Sequence, residues 1–450
     1  MICVDFGSTF TKALLVDLAE GRVAAAAEHR TTIETDVLDG YDACLAALTA
    51  QDPRTTDAPA LACSSAGGGL RIAVVGNEDL VTAEAGRRVA LSSGGKVVAV
   101  FAASRGDDLG DVPASRPDVV LLTGGTDGGN PEPILACARA LAAVWDGPVV
   151  VAGNVEAQAD VAMILAHHPL VVAPNIVPRI GVLAPEGART ATRELFLSHV
   201  IGGKHLSSRA DFVAMVHGAT PDVVLTGVEL LAELAGDTVV VDVGGATTDV
   251  HSVVELDPAL REGSSLASSE EAPALDREVV ATTRVTRTVE GDLGMRWSAV
   301  TTAKAAGRDD LVAAAVRRRD DVGFVPVDDA EQDLDEDLAR EAAGLALRRH
   351  AGRSKVVVSP EGRVVERSGK DLRDVDLLVG SGGVLRHGRP GVADRVFAGS
   401  VGEVAGGWQL PRHARVTVDQ QYVLAAAGLL ASEHREAARR LLARLTEVTP

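Results

Sequence analysis

The chain opens with short apolar runs separated by glycine-containing turns, a pattern typical of β-hairpins. Its first residues read as three strands, ICVDFG, TKALLVDL and RVAAAAEH, joined by the turns STF and AEG. Residues 239–256 repeat this order as VVVDVG, GAT and TDVHSVVEL. Asp5 aligns with Asp242 and Gly7 with Gly244, each pair 237 residues apart. The pattern predicts an antiparallel meander that occurs twice through an internal duplication.

Between the two copies, short Val-rich runs alternate with longer helical patterns. The predicted strands are IAVVG (72–76), KVVAVFA (96–102), DVVLLTGG (118–125), PVVVAGN (148–154) and LVVAPN (170–175), and the predicted helices lie near 79–92, 132–144 and 155–167. Alternation of this kind builds βαβ units, because parallel strands need a crossover connection. We therefore expect an inserted α/β domain with a parallel sheet.

The second half of the chain continues with less regular patterns. Residues 257–274 are rich in Ser, Glu, Pro and Gly, which predicts an exposed or mobile loop, and a strand at 278–287 is expected to resume the sheet. The acidic stretch 328–337 precedes a helical pattern that ends near His350. Acidic residues favour the first turn of a helix, and the glycine of a calcium-binding EF-hand loop is missing, so we interpret the stretch as a helix start. Residues 420–447 are predicted to be helical.

These patterns divide the chain into five segments. The expected boundaries are 1–65 for the opening of a first lobe, 66–200 for the inserted α/β domain, 201–236 for a connecting helix region, 237–418 for a second lobe and 419–450 for C-terminal connecting helices. A chain of 450 residues exceeds the usual size of one hydrophobic core, so more than one domain is the expected outcome.

Composition indicates how the interior is packed, and the net charge excludes two classes of binding partner. Aromatic residues make up only 3%, so the interior must be built largely from Ala, Val and Leu, which suits parallel strands covered by helices. The formal net charge of -19 argues against a general binder of nucleic acids or of anionic membranes, since both need a basic surface. We expect neither partner.

Cysteine usage and the N-terminal sequence indicate a cytoplasmic protein. The four cysteines lie far apart, with no CxxC pair and no His at metal-binding spacing, so we expect reduced and mostly buried thiols. The start MICVDFG enters a strand without the features of a signal peptide. No apolar stretch reaches the roughly 18 to 20 residues of a membrane-spanning helix.

The two hairpins carry the strongest chemical signal. In DFGSTFTK (5–12) and DVGGATTD (242–249) an acidic residue ends a buried strand, and a turn of small residues follows. Glycine lets backbone N–H groups approach phosphate oxygens, and hydroxyls add donors. The carboxylate suits a hydrated Mg²⁺ beside the phosphates. One such hairpin alone is more often conformational than functional.

A third motif, DLLVGSGGVLRHG (376–388), is a buried strand that enters a glycine-rich turn, where backbone could lie against a nucleoside. The three motifs in this order resemble the phosphate-1, phosphate-2 and adenosine motifs of the actin/Hsp70/sugar-kinase superfamily. The resemblance implies an α/β protein with the two-lobed actin/Hsp70/ribonuclease H-like ATPase fold and a parallel α/β insertion in the first lobe. It also implies that ATP and Mg²⁺ bind in the cleft between the lobes.

The resemblance assigns roles to particular residues. Asp5 and Asp242 become catalytic carboxylates on the metal side, holding Mg²⁺ through water. The residues expected to bind the nucleotide are Gly7, Ser8, Thr9 and Lys12 in the first hairpin, Gly244, Gly245 and Thr247 in the second, and Gly380, Gly382 and Gly383 in the third motif. Lys12 has a second interpretation as a solvated strand residue.

Members of the superfamily usually carry a carboxylate on a connecting helix to orient the attacking water or hydroxyl. Glu229 in TGVELLAEL (226–234) is the candidate here, and Glu233, one turn further, could serve instead. Both could equally be solvated residues on a helix surface.

The first hairpin and five further segments point to one branch of the superfamily. DFGSTFTK, CSSAGGGL (63–70), LLTGGTDGGN (121–130), AGNVEAQ (152–158), NIVPRIG (175–181) and VEGDLGMR (289–296) together resemble the accessory-protein family of glutamate mutase, called GlmL or MutL and unrelated to the DNA-repair protein of that name. The resemblance spans nearly the whole chain.

That resemblance implies an ATP-dependent reactivating chaperone for an adenosylcobalamin-dependent mutase, either glutamate mutase or a related aminomutase. The client's subunits and ATP/ADP are the expected partners, and cobalamin is the client's cofactor rather than a tight ligand. A change of lobe angle would let damaged cobalamin exchange for intact coenzyme. The insertion is the expected contact with the client. The resemblance leaves the oligomeric state open, including a homo-oligomer.

Three motifs have structural interpretations beside the functional ones. His167 and His168 lie at a helix end, where capping or solvation suits them, and the DxHxxG signature of cobalt ligation is missing. Thr126 and Asp127 follow a strand of a parallel sheet, where ligands often bind, although their turn could serve packing alone.

Glu290, Asp292 and Arg296 could pair with one another or line the cleft, and Asp292 is predicted to cap a helix. Two rival functions remain: a small-molecule kinase of the same fold, and a nucleotide-binding regulatory protein.

Overall fold

The chain is described by a computed structural model, which covers residues 1–255, 274–276, 283–359, 362–402 and 406–447. The predicted loop at 257–274 and the first part of the predicted strand at 278–287 therefore lie almost entirely outside the described residues. A strand is present at Val285–Glu290, and it joins the sheet as expected.

Two five-stranded sheets have the same topology. The strands of the first are β1 Ile2–Phe6, β2 Phe10–Asp17, β3 Arg22–Arg30, β4 Ala60–Ser64 and β10 Val216–Ala219. The strands of the second are β11 Thr238–Val243, β12 Thr248–Val253, β14 Val285–Glu290, β17 Leu377–Ser381 and β18 Arg415–Val418. Their orders are β10-β4-β1-β2-β3 and β14-β12-β11-β17-β18.

Strand directions agree as well as strand order. In each sheet the first three strands form an antiparallel meander, and the remaining two run parallel to the first strand. The duplication that the hairpin repeat predicted is therefore a duplication of a whole sheet. This shared ribonuclease H-like topology confirms the predicted fold class.

A third sheet lies between β4 and β10 in the sequence. Its strands are β5 Leu70–Gly76, β6 Gly95–Ala102, β7 Val119–Leu122, β8 Val149–Val151 and β9 Leu170–Val172. All of them are parallel, in the order β6-β5-β7-β8-β9. The predicted α/β insertion is confirmed, and its central strands β5, β7 and β8 are buried on both faces, as continuous Val-rich runs predict.

Helices are present at each predicted helical segment, and others, such as Val37–Gln51 and Val312–Asp320, were not predicted. Those of the first half are α1 Val37–Gln51, α2 Glu84–Ser92, α3 Glu132–Ala142, α4 Gln158–Ile164, α5 Glu186–Leu195, α6 Ile201–Gly203, α7 Ala210–Met215 and α8 Thr220–Ala235. Those of the second half are α9 Ala299–Ala305, α10 Val312–Asp320, α11 Asp329–His350, α12 Gly383–Arg386, α13 Val392–Val396, α14 Val423–Leu430 and α15 Arg435–Thr446. A small sheet of β13 Ala274–Asp276, β15 Arg353–Ser359 and β16 Gly362–Ser368 completes the described strands.

The chain divides into two compact units. The first contains Met1–Gly227 and Leu424–Leu441, and the second contains most of residues 228–423 and the chain from Leu442. In the first unit one apolar cluster joins the meander to the insertion and includes Phe6 and Ile72. The second unit has its own cluster around β11, with α11 packed against it.

The acidic stretch and the cysteines behave as predicted. Asp328 caps α11 by accepting a hydrogen bond from the backbone N–H of Glu331, so the stretch starts a helix. All four cysteines are unpaired and buried. Among the described residues, no helix is both long enough and apolar enough to cross a bilayer.

Candidate functional site

The first hairpin is a tight turn between β1 and β2. The backbone N–H of Gly7 donates to the carbonyl of Phe10 at 3.1 Å. A side chain at position 7 would not fit, because an ideal Cβ there would lie 2.6 Å from that carbonyl oxygen. The turn residues Ser8 and Thr9 are exposed. Their hydroxyls make no hydrogen bond to any residue that the structure describes, so they are available to a ligand.

The second hairpin is built in the same way. The N–H of Gly244 donates to the carbonyl of Thr247 at 2.9 Å, and an ideal Cβ on Gly244 would lie 2.8 Å from that oxygen. Gly7 and Gly244 therefore have the same structural role at equivalent positions of the two turns. The hydroxyl of Thr247 donates to Asp249 at 3.1 Å, and Asp249 occupies the position that corresponds to Lys12.

Asp5 is held inside the first unit. The side chain is only 4% exposed, and its Oδ1 accepts hydrogen bonds from the Thr220 hydroxyl at 2.6 Å and the Cys63 thiol at 3.6 Å. Burial, and to a smaller degree the nearby Asp5 charge, raise the pKa of Cys63 well above its usual value, so this thiol stays protonated and can donate. Oδ2 lies 4.0 Å from the ammonium of Lys12. Lys12 therefore has a carboxylate neighbour and is not simply a solvated strand residue.

A glycine loop follows β4 at the same edge of the first sheet as the hairpin. The N–H of Ser65 donates to the carbonyl of Phe6 at 2.9 Å, which ties this loop to the end of β1. Gly67, Gly68 and Gly69 all have positive φ. An ideal Cβ on Gly68 or Gly69 would meet no atom within 4 Å, so this loop leaves open space beside the hairpin.

The segment VEGDLGMR packs against the second hairpin rather than forming the predicted cluster. The N–H groups of Met295 and Arg296 donate to the carbonyls of Gly244 and Gly245, at 2.9 and 2.8 Å. Gly294 is required there, because an ideal Cβ would lie 2.7 Å from the Gly245 carbonyl oxygen. The glycine at position 294 could have predicted this close approach of two backbone segments.

Of the two alternatives for Glu290, Asp292 and Arg296, pairing with one another is not what the described residues show. Arg349 pairs with both acids, while Arg296 pairs with Asp335 at 3.3 Å. The predicted helix cap at Asp292 is wrong, because the chain turns and the helix begins only at Ala299, after Ser298. The long helix α11 supplies both partners, which local sequence spacing could not reveal.

In the third motif the glycines have different surroundings. Gly380 lies within β17, and an ideal Cβ there would meet the ring of Phe397 at 2.8 Å, so its small size serves packing on that side. Gly382 has φ +106°, and a Cβ would lie 2.2 Å from the carbonyl oxygen of Val243, at the end of β11. Gly383 is exposed, and nothing lies within 4 Å of an ideal Cβ. Gly383 therefore offers the open backbone that a nucleoside would need.

Glu229 lies in α8, half-buried, and Glu233 is exposed one turn later. The residue of α8 that contacts Asp5 is Thr220, nine positions before Glu229. Sequence reasoning missed Thr220, since nothing in its local pattern marks a contact with a strand 215 residues earlier. The helix ends as predicted before Gly236, which has φ +84°.

The glycine loop after β7 is organised by its neighbours. Oδ1 of Asp127 accepts hydrogen bonds from Asn175 at 2.8 Å and from the N–H of Val155 at 3.2 Å. Asp127 therefore has a structural role in joining the loops at the carboxyl edge of the inserted sheet, and Thr126 lies half-buried beside it. His168 bonds the carbonyls of Leu165 and Trp145, which fits the capping interpretation.

The carboxylates of the two hairpins suit a Mg²⁺ ion that keeps most of its water ligands. No group of three metal-binding side chains occurs together within the described parts of the chain. Mg²⁺ usually keeps several waters and uses one or two carboxylates together with phosphate oxygens. Single carboxylates such as Asp5 and Asp242, each at the end of a strand before a glycine turn, fit that mode.

Comparison with known proteins gives a consistent result. The family model described as MutL protein matches residues 1–445. Protein MutL of Clostridium tetanomorphum is 34% identical over 465 residues, which cover 98% of this chain and 98% of that protein.

Solved structures give only distant likenesses. The ethanolamine utilization protein EutJ from Carboxydothermus hydrogenoformans is 12% identical, covers 98% of this chain and 89% of its own, and has a TM-score of 0.28. The xylulose kinase from Bifidobacterium adolescentis is 12% identical, covers 99% and 93%, and has a TM-score of 0.31. Scores this low carry no argument, so the fold assignment rests on the strand topology.

Proposed function

Because the chain belongs to the MutL protein family, as its motifs predicted, we propose that it is an ATP-dependent accessory protein of an adenosylcobalamin-dependent mutase. Its role would be to reactivate the mutase by promoting exchange of damaged cobalamin. The client is glutamate mutase or a related aminomutase, and cobalamin remains the client's cofactor.

The observation that carries nucleotide binding is the identical construction of the two hairpins. Each has a carboxylate near the end of its first strand and a glycine at which a Cβ would collide with the turn. Two sheets of one topology need the same turn, but they do not need the same acid. Retention of Asp5 and Asp242 at equivalent positions therefore supports a chemical role for both carboxylates.

Each residue set has a defined task in the proposal. Bound Mg²⁺ would neutralise phosphate charge, and Asp5 and Asp242 would hold its water shell. Ser8, Thr9 and the backbone of the two turns would bind phosphate oxygens, with Lys12 adding positive charge. Gly383 would lie against the nucleoside. Glu229 would orient the hydrolytic water, and replacement by Gln should then abolish turnover without loss of nucleotide binding.

The inserted domain is the proposed contact with the mutase. The loops at the carboxyl edge of its parallel sheet are joined by the hydrogen bond from Asn175 to Asp127. This edge is therefore a preorganised surface for a partner.

A direct test is recovery of an inactivated mutase with this protein, ATP, Mg²⁺ and fresh coenzyme. If a cobalamin-dependent mutase is encoded beside this chain's gene, that enzyme is the client to use. Recovered activity supports the proposal, whereas no recovery despite measured nucleotide binding contradicts the client role. Transfer of labelled phosphate to a metabolite would instead favour a kinase, and nucleotide binding without any hydrolysis would favour a regulatory protein.

The variant Asp242→Ala tests whether this carboxylate is needed for ATP hydrolysis or for folding. We expect the variant to keep its fold and lose ATP hydrolysis, because a half-buried carboxylate at a turn costs stability rather than adding it. Circular dichroism and phosphate release measure the two properties. A control is Asp320→Ala, which removes an exposed acid of the same unit that pairs with Arg319, and this variant should keep both its fold and its hydrolysis. Normal hydrolysis by folded Asp242→Ala protein would remove this residue from the site.

A further inference from the structure

The start of α8 supplies a side chain that reaches the first hairpin. Thr220 is the first residue of this helix, directly after β10. Its hydroxyl donates to Oδ1 of Asp5 at 2.6 Å, and the two side chains are 8% and 4% exposed. A hydrogen bond from a buried hydroxyl to a carboxylate is stronger than one between neutral groups.

The two oxygens of Asp5 have different surroundings. Oδ1 faces the protein, where Thr220 and Cys63 donate to it. Oδ2 faces the hairpin, at 4.0 Å from the Lys12 ammonium and 3.7 Å from an ideal Cβ on Gly7. The hydroxyl on one oxygen therefore determines where the other oxygen points.

Thr220 is itself held in place by the first turn of its helix. Pro221 favours the helical backbone at this position, since a first-turn N–H has no partner within the helix. Asp222 is 2% exposed, and it accepts a hydrogen bond from Arg193 of α5 at 2.6 Å. The turn that presents the hydroxyl is thus anchored to the inserted domain.

We propose that Thr220 is a positioning residue, which orients the Asp5 carboxylate so that Oδ2 can hold the water shell of a nucleotide-bound Mg²⁺. The inference rests on the proposed function, because it needs Mg²⁺ and nucleotide at the first hairpin. Without the hydroxyl, Oδ1 would keep only a weak thiol donor, and the carboxylate would rotate or turn towards Lys12. Removal of Thr220 should therefore impair the metal-dependent part of nucleotide binding and spare the metal-independent part.

The test compares Thr220→Val, Thr220→Ser and Thr226→Val. Valine keeps the shape of threonine without the hydroxyl, and serine keeps the hydroxyl. Thr226 is the matched control on the same helix, because its hydroxyl bonds the backbone carbonyl of Asp222 and not Asp5. Binding of a fluorescent ATP analogue is titrated with Mg²⁺, and ADP binding is measured in EDTA.

We expect Thr220→Val to raise the Mg²⁺ concentration for half-maximal analogue binding roughly tenfold, the effect of losing one hydrogen bond to a charged group. ADP binding in EDTA should not change. Thr220→Ser and Thr226→Val should both resemble the wild type. Thermal unfolding of each variant checks that the fold is retained.

Three results would overturn the inference. The first is a Mg²⁺ dependence of Thr220→Val equal to that of the wild type. The second is a Thr220→Ser variant as impaired as Thr220→Val. The third is a valine variant with binding weakened equally with and without Mg²⁺. In each case Thr220 has no orienting role, while the proposed function stands. A wild-type protein that binds no nucleotide with Mg²⁺ overturns both.

Discussion

At the scale of single residues, some glycines of the candidate site are required by close packing, and others leave space for a ligand. Gly382 and Gly383 are neighbours in the third motif, but their surroundings are opposite. Gly382 has positive φ and closes onto the carbonyl of Val243, whereas Gly383 faces open space. The sequence SGG alone could not separate the two, since both glycines satisfy the same pattern.

This contrast gives a paired prediction. Gly382→Ala should lower the stability of the second unit by at least about 2 kcal/mol, because alanine is strained at positive φ and its Cβ would collide with backbone. Gly383→Ala should change stability by less than about 0.5 kcal/mol and weaken ATP binding several-fold. Urea unfolding and nucleotide titration measure the two effects. ATP binding at wild-type strength in Gly383→Ala would mean that this turn does not approach the nucleoside.

Several site residues were predictable because the chemistry is local. The hairpin pairs Gly7 with Phe10 and Gly244 with Thr247, contacts within four residues that a turn pattern encodes directly. Thr220 was not predictable, because its partner Asp5 is reached only when β10 and β1 lie on either side of β4. The long-range fold creates that contact.

At the scale of elements, continuous apolar runs identified strands, including strands that are only partly buried such as β6 and β9. The five strands of the insertion and the two hairpins all coincide with such runs. The strands β10 (VHGA) and β18 (RVTV) were not predicted, because polar residues and glycine interrupt them, whereas continuous apolar runs marked even the three-residue strands β8 and β9. Strands β10 and β18 each pair in parallel with a strand that is distant in sequence, so tertiary context determines them.

Ion pairs between helices were also invisible in the sequence, and one of them gives a prediction. Arg318 at the end of α10 is fully buried, and its Nε donates to Asp335 of α11. Its Nη2 donates to the backbone carbonyl and the carboxylate of Glu331, at 2.9 and 2.8 Å. Asp335→Ala would leave much of this buried charge uncompensated. We expect a loss of about 3 to 5 kcal/mol from the second unit, measured by urea unfolding.

The matched control for that variant is Asp337→Ala, two residues further along α11. Asp337 pairs with Arg308 and Arg340 near the surface, where ion pairs contribute about 1 kcal/mol or less. Equal losses from the two variants would mean that burial of Arg318 does not depend on Asp335. Because Asp335 also pairs with Arg296, which bonds the second hairpin, its removal should also weaken nucleotide binding.

At the scale of the whole molecule, the protein consists of two units, each with its own apolar core and its own copy of the hairpin. Mg²⁺ and ATP that bind the folded chain must stabilise it by mass action, by about 2.7 kcal/mol at a ligand concentration of 100 times Kd. We expect calorimetry to show a rise in unfolding temperature with Mg²⁺ and ATP together, larger than with either alone.

The variants Asp5→Asn and Asp242→Asn then test whether both units contribute. These two residues lie in different units, so a ligand that uses only one hairpin would lose its effect in only one variant. We expect each substitution to remove most of the Mg²⁺-dependent stabilisation, because the proposed function gives each carboxylate a share in holding the water shell of the ion. Loss in Asp5→Asn with an unchanged shift in Asp242→Asn would limit the site to the first hairpin. The duplicated sheet would then have kept its nucleotide chemistry in one copy and only its architecture in the other.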